Sequence, residues 1–228
     1  MKRFAQTICV AAALTLNAYA ADVQKLDARI EAAHQVLHEL MATPDKGIPE
    51  EIASKATCVA VVPGFKKGAF VVGGQYGQGI VSCRTGSGWS APAFIQLTGA
   101  SFGLQMGGQS TDLVLVGITQ DAAERLLKDK LKLGGDAAVA AGPVGRNSTA
   151  STTELANAAF LSYSRNKGLF AGVDLSGDVV NQNKEDTETY YGHDVSYDRL
   201  LHGDVPVHPS QEAFVRTLAQ LFSSNGAH

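Results

Sequence analysis

The sequence is poor in cysteine, in aromatic residues and in net positive charge. Of 228 residues three are Cys and one is Trp, and aromatics make up 7%. Three cysteines exclude a small scaffold stapled by several disulfides and leave too few thiolates for a four-cysteine zinc module. Lys and Arg number 19 against 22 Asp and Glu, so the basic footprint that bulk nucleic-acid binding needs is missing. Beyond residue 20 no apolar run approaches the about 20 residues of a membrane-spanning helix. Glycine, by contrast, is plentiful at 24 residues, and it punctuates short β-branched runs.

The first twenty residues read as an address. Lys2 and Arg3 open the chain, Ile8 to Leu16 form an apolar run broken only by Thr15, and Ala18-Tyr19-Ala20 is a small-x-small cleavage pattern ahead of Ala21. The pattern predicts a cleaved signal peptide over 1–20 and a mature chain over 21–228, periplasmic or secreted. The competing reading is a buried N-terminal helix. Cys9 lies inside the apolar run, away from the cleavage point, so a lipoprotein is not expected. Removal of Lys2 and Arg3 leaves 17 basic against 22 acidic residues, a formal charge of −5. Cys58 and Cys83 then remain, an even number for an oxidising compartment. A bond between them closes a 26-residue loop and contributes about 3–4 kcal/mol on the chain-entropy view. Metal ligation by the pair is the alternative, without the close spacing metal sites favour.

Val23, Leu26, Ile30, Ala33, Leu37 and Leu40 recur at steps of three and four, predicting an amphipathic helix over 22–42. Thr43 to Gly47 end it, and a second helix follows over 48–56 with Pro49 in its first turn. Between Thr57 and Ile118 the texture becomes β-like: Cys58–Val62, Ala69–Val72, Gly79–Cys83, Phe94–Leu97 and Asp112–Ile118. Pro63-Gly64, Gly73-Gly74, Gly86-Ser87-Gly88 and Gly107-Gly108 read as the turns between them, which predicts a meander or barrel of bent strands. A helix is expected from Asp121 to Leu131, another over Glu154–Arg165 behind Thr152 or Thr153, and a hairpin over Leu169–Val180 around Asp174–Gly177. Ser210 begins a last helix with Phe214, Leu218 and Leu221 on one side. Lys67-Gly68-Ala69-Phe70 and Lys167-Gly168-Leu169-Phe170 echo each other, by internal duplication or by chance. The fold class read from this pattern is α+β: one domain, a twisted or barrel-like antiparallel sheet with flanking helices.

Gly99-Ala-Ser101-Phe-Gly103 matches the nucleophile-elbow spacing, but an elbow needs a strand, a sharp turn and a helix, and no helix follows. His193, His202 and His208 lie downstream as formal triad partners; without the elbow context an enzyme is not the expected class. His34 and His38 lie one helical turn apart and lack a third ligand, so a solvated helix face explains them and no metal or cofactor is expected. The cations are more informative. Lys66, Lys67, Arg146, Arg165 and Lys167 all fall in predicted turns, where lysine and arginine reach phosphate oxygens. Pairing of Arg146 and Arg165 with carboxylates such as Asp136 or Asp174 is the competing reading. Lys128, Lys130 and Lys132 are assigned to a helix C-terminus, where they favour the dipole.

The order of motifs resembles the SYLF domain family. The likeness runs through Cys58-Val-Ala-Val-Val-Pro63, Lys67-Gly-Ala-Phe-Val-Val-Gly73-Gly74, Gly77-Gln-Gly79 and Trp89-Ser-Ala-Pro92-Ala-Phe-Ile95. It continues in Ser101-Phe-Gly103-Leu-Gln105-Met-Gly107, Ala141-Gly-Pro143-Val-Gly145-Arg146, Ser162-Tyr163-Ser164-Arg165-Asn-Lys167-Gly-Leu-Phe170-Ala-Gly172 and Tyr190-Tyr191-Gly192. The resemblance implies a lipid-binding module. Eukaryotic members bind phosphoinositides and other acidic lipids, and yeast-type members also bind actin. It also implies an N-terminal amphipathic segment at the membrane, although the matching stretch 22–41 carries acidic residues and few cations.

Lys66, Lys67, Arg146, Arg165 and Lys167 are thus the candidate headgroup residues, with Phe65 and Phe170 beside acyl carbons. The expected partner is a phospholipid or an anionic membrane surface; actin is not expected in an exported protein. The expected function is a non-catalytic lipid-binding protein of the cell envelope. The alternative is an envelope structural or protein-interaction module without lipid affinity.

Overall fold

The computed structural model describes residues 2–42, 47–144, 157–166 and 169–223. Helix α1 (Lys2–Met41) leads into α2 (Glu50–Lys55), then strands β1 (Cys58–Thr85), β2 (Gly88–Trp89) and β3 (Ala93–Gly117). Helix α3 (Ala122–Leu126), β4 (Lys130–Lys132), β5 (Val139–Ala141), β6 (Phe160–Asn166), β7 (Leu169–Gly172) and β8 (Val179–Gln182) follow. Helices α4 (Lys184–Tyr191), α5 (Tyr197–His202) and α6 (Glu212–Leu221) close the described chain. The eight strands form one curled sheet with helices around it, the expected α+β class. All its strand pairs are antiparallel except β5 with β6.

The expected short strands are two very long ones. β1 and β3 pair from Cys58↔Gly117 to Val81↔Ala93. Gly73-Gly74 and Gly107-Gly108 lie inside this ladder, opposite Ser101-Ala100 and Ala69-Gly68. A glycine pair reverses the chain only when no partner strand holds it. Here each strand supplies the other's hydrogen bonds, and glycine lets the ribbon bend without breaking them. Pro63-Gly64 is a bulge, because two residues oppose Asp112 alone and proline has no N–H to give the ladder.

The ribbon doubles back on itself. Twenty-five residues of extended strand span about 80 Å, yet Cys58 and Cys83 lie 3.9 Å apart at Cα and form a disulfide. Arg84 N–H donates to Thr57 O at 2.7 Å. The two arms approach so closely at Gly79 that a Cβ there would stand 2.2 Å from the Val61 carbonyl oxygen.

Both faces of the doubled ribbon are buried, which is why Cys58–Val62 reads as an unbroken apolar run. Val59, Val61, Ile80, Val114, Val116 and Tyr163 meet α1 and α6 through Leu26, Ile30, Ala33, Leu37, Leu40, Phe214 and Leu218. Ala60, Val62, Val81, Leu113 and Leu115 turn the other way, onto α3, α5, Leu131 and Leu133. The predicted stripe of α1 is therefore its core face, except that Val23 is only partly buried. Polar anchors set its register: Asp27 accepts from the Tyr190 hydroxyl at 2.8 Å, and Arg29 reaches Asp186 and Gln78.

Several expectations are corrected. The helix from Asp121 stops at Leu126, and Asp121 pairs with Arg125 instead of closing a capping box. The Gln182 side chain caps the carbonyls of Leu126 and Leu127. Lys130-Leu131-Lys132-Leu133 then alternates as a strand does, with both leucines fully buried, so these lysines do not sit at a helix end. Residues 160–166 are strand β6, with Phe160, Leu161, Ser162 and Tyr163 all buried; burial on both faces erased the alternation that marks a strand. The turn at Asp174–Gly177 forms, but β7 pairs with β6 and β8 with β3 and β4, so the two do not make a hairpin. The echoed segments also differ, since 67–70 is strand interior while the described part of the second copy, Leu169 and Phe170, begins β7 and 167–168 lie outside the described residues.

Gly79→Ala is expected to lower stability by about 3 kcal/mol, because the obstructing atom is backbone and cannot swing aside; the urea midpoint measures it. Cys58→Ser with Cys83→Ser is expected to cost about 3–4 kcal/mol, and an unchanged midpoint would show that the arms hold without the bond.

Candidate functional site

The bend of the β1–β3 ribbon lies opposite its disulfide-locked end, and the described candidate cations collect there. Lys66 and Lys67 of β1 pair with Ser110 and Gln109 of β3, and Arg165 of β6 pairs with Asp112. Arg146 and Lys167 lie outside the described residues. Within three neighbouring strands the described cations share one rim of the sheet. Leu169, 57% exposed, begins β7 on the same rim opposite Asn166. Apart from Tyr76 it is the only large exposed hydrophobic side chain among the described residues. Phe65, expected beside acyl carbons, is instead fully buried in the core cluster that holds Val62, Leu97 and Leu113. The Phe170 side chain is outside the described set.

Strand alternation divides the three cations between two faces. Ser110 and Asp112 share the α1 face with Val114, so Lys66 and Arg165 belong to that face. Lys67 belongs to the other, with its ammonium 5.9 Å from the Phe65 ring centre. Arg165 is engaged: its guanidinium pairs with Glu39 of α1 and, at 3.4 Å, with Asp112. The Asp112 carboxylate also accepts the Gly64 N–H at 2.9 Å. The partners are thus neither Asp136, which accepts the Lys132 amide, nor Asp174. Lys66 is exposed.

On the Lys67 face lies a buried carboxylate that sequence reasoning passed over as part of a turn. Asp178 is 3% exposed. It sits directly over Gly99, where a Cβ would fall 1.6 Å from its Oδ1. The glycine flagged for a nucleophile elbow is therefore the seat of an aspartate. Ser101, two residues on, pairs with Gly73 inside β3, which continues as one strand to Gly117 without the strand–turn–helix an elbow needs. Gln75 donates to Asp178 Oδ1 at 3.4 Å and to Ala100 O at 3.2 Å, while its own Oε1 is buried without a partner. Burial raises the Asp178 carboxyl to about 6, with Lys67 opposing and Asp174 reinforcing the rise. Asp174 is held below the usual carboxylate range, first by Ser176 hydrogen bonds and then by Lys67. A cleft of about 570 Å³, lined by Gly134, Ser176, Asp174 and residues 138–141, opens on this side.

His34 lies beside Glu31 at 3.5 Å and edge-on to His38. Among the described residues no group of three His, Cys, Asp or Glu side chains is arranged to hold a metal, and no helix is long and apolar enough to cross a membrane.

The Asp178 carboxyl is raised in the fold above its unfolded value. The fold therefore takes up a proton between pH 6 and 4 and gains stability as pH falls through that window. Asp178→Asn is expected to stabilise the protein by about 1–2 kcal/mol at pH 8 and by much less at pH 4. Urea midpoints at the two pH values measure the difference.

Comparison with known proteins places this geometry. The Ysc84 family, described as Las17-binding protein actin regulator, matches residues 98–221. SH3 domain-containing YSC84-like protein 1 of Homo sapiens is 38% identical over 165 residues, 72% of this chain and 48% of that protein. LAS seventeen-binding protein 3 of Saccharomyces cerevisiae is 34% identical over 178 residues, 76% of this chain and 39% of that protein. The chain spans about half the length of these curated relatives, or less. With the profile covering more than half the chain and the likeness reaching from the ribbon to the last helix, the chain belongs to the Ysc84, or SYLF, family.

Proposed function

We propose that this chain is an exported, non-catalytic binding protein of the cell envelope that meets an anionic phospholipid surface with the bent end of its β1–β3 ribbon. The observation that carries the reading is the rim itself, where exposed Lys66 and half-buried Lys67 lie on β1 and exposed Leu169 lies three strands along the same sheet, on β7. Lysines on the two faces of one strand cannot close on a single phosphate. They can both reach a bilayer laid across the strand, each contributing about 1 kcal/mol near an anionic surface. Leu169 adds an apolar contact below the headgroups. Arg165 holds α1 through Glu39 and so serves as a positioning residue for the rim. The family resemblance supports lipid as the ligand, and the printed names of the relatives speak for protein partners, Las17 among them. Export before Ala21 would separate the chain from actin. Cleavage there would leave the α1 core face from Leu26 to Leu40 within the mature chain.

The test is flotation of protein purified from cells expressing the full chain, with vesicles of phosphatidylglycerol and phosphatidylcholine or of phosphatidylcholine alone. Binding is expected to anionic vesicles only and to fall away at about 1 M salt. Lys66→Ala with Lys67→Ala is expected to weaken it about 30-fold. Equal flotation with both vesicle types, or none, would overturn the reading. A stable protein complex from envelope extracts without lipid affinity would favour the protein-interaction module instead.

A further inference from the structure

We infer that the outer face of the strands β1, β3, β8 and β4 is a docking surface for an acidic polysaccharide, a site apart from the lipid-contact rim and not resting on it. Two rows of side chains build it. Tyr76 pairs with Thr98, Thr98 with Val179, and Val179 with Lys132. Two residues along the strands, Gln78, Gln96, Asn181 and Lys130 follow in the same order. Directly paired residues share a face of the sheet. The residues between the rows, Leu97, Val180 and Leu131, turn inward to the core, so both rows point the other way.

Helix α1 covers the neighbouring pair, Ile80 and Phe94, and Arg29 marks its border with this face by donating to Gln78 at 2.9 Å. Past the Tyr76 row the next pair is Gly74 and Ala100, too small to cover the ring, and Tyr76 is 46% exposed. Lys130 and Lys132 are exposed as well, while Gln96, Thr98, Val179 and Asn181 are partly buried. Four strands make a platform about 14 Å wide, aromatic at one edge, cationic at the other and polar between.

Each part answers to one property of the ligand. Neither lysine enters an ion pair among the described residues. Asp129 is engaged by Lys184 at 2.8 Å, and Asp136 accepts the Lys132 backbone N–H. The two ammonium groups are thus available to carboxylates of a ligand. The amides and the Thr98 hydroxyl offer donors and acceptors together, which suits sugar hydroxyls, whereas a lipid phosphate only accepts. The Tyr76 ring presents an apolar face to the C–H side of a sugar ring. A nucleic acid would need a basic track along its backbone, and this chain has 19 Lys and Arg against 22 Asp and Glu. A protein partner would call for an apolar centre, where this face places Gln96, Thr98 and Asn181.

The experiment is affinity electrophoresis of protein purified from cells expressing the full chain, in gels containing polygalacturonate or neutral dextran. Wild type is expected to be retarded by polygalacturonate alone. Tyr76→Ala is expected to weaken that binding about tenfold. Lys130→Gln with Lys132→Gln is expected to weaken it about tenfold and to remove most of its salt sensitivity. All three positions are exposed, and urea midpoints equal to wild type would show that the variants fold. Lys66→Ala with Lys67→Ala is expected to leave the retardation unchanged, which separates the fate of this inference from that of the lipid reading. No retardation by polygalacturonate, or undiminished retardation of both face variants, would overturn the inference. Equal competition by polyglutamate, which carries the charge without the sugar, would overturn it too. Loss of vesicle flotation in Tyr76→Ala would assign the face to lipid and overturn it likewise.

Discussion

Everything in this molecule follows from a long antiparallel ribbon being made to fold back on itself. Strands of 28 and 25 residues are too long to lie flat in a domain of this size, and the sheet twist alone does not return one end to the other. The return is held where the arms cross, by the Cys58–Cys83 bond, the Arg84–Thr57 backbone contact and the missing side chain of Gly79. Arg84 extends the lock outward, stacking on Trp89 at 4.9 Å and donating to the carbonyls of Ala56 and Phe222. Burial costs its guanidinium some basicity, which these carbonyls and the ring offset. One end of the ribbon is thus closed, covalent and dry. The other is a glycine-rich bend beside which Lys66 is exposed.

That asymmetry explains the division of labour among the charges. Near the bend, the acidic residues of α1 are docking groups: Glu39 on Arg165, as Asp27 is on Tyr190 further along the helix. A helix held by buried apolar contacts on one side and polar anchors on the other is part of the scaffold. Its acidic residues Asp27 and Glu39 are therefore spent on contacts within the fold. The rim keeps Lys66 on one face and Lys67 on the other, and only the second shares its face with the buried Asp178. Two lysines adjacent in sequence consequently differ in kind.

Local patterns were legible where one physical cause dominated. The α1 stripe, the short helix behind Pro49, the amphipathic last helix and the pairing of Cys58 with Cys83 each answer to periodicity, to proline stereochemistry or to cysteine bookkeeping. Reading failed where two causes competed. Gly73-Gly74 carried a turn signal that a paired strand overrode, and Phe160 to Tyr163 lost their alternation because both faces are covered. Lys130 to Leu133 did alternate, and the period there was outweighed by the helical start at Asp121.

The amino-acid sequence by itself determined the class of the fold, the family and the candidate cations, because composition, spacing and motif order are properties of the chain alone. The tertiary structure decided which of those residues are free. Arg165 is taken by Glu39, 126 positions away, and Asp178 is buried by Gly99 and Gln75. Charge availability depends on what the fold brings within a few ångströms, and no local pattern records a partner that distant.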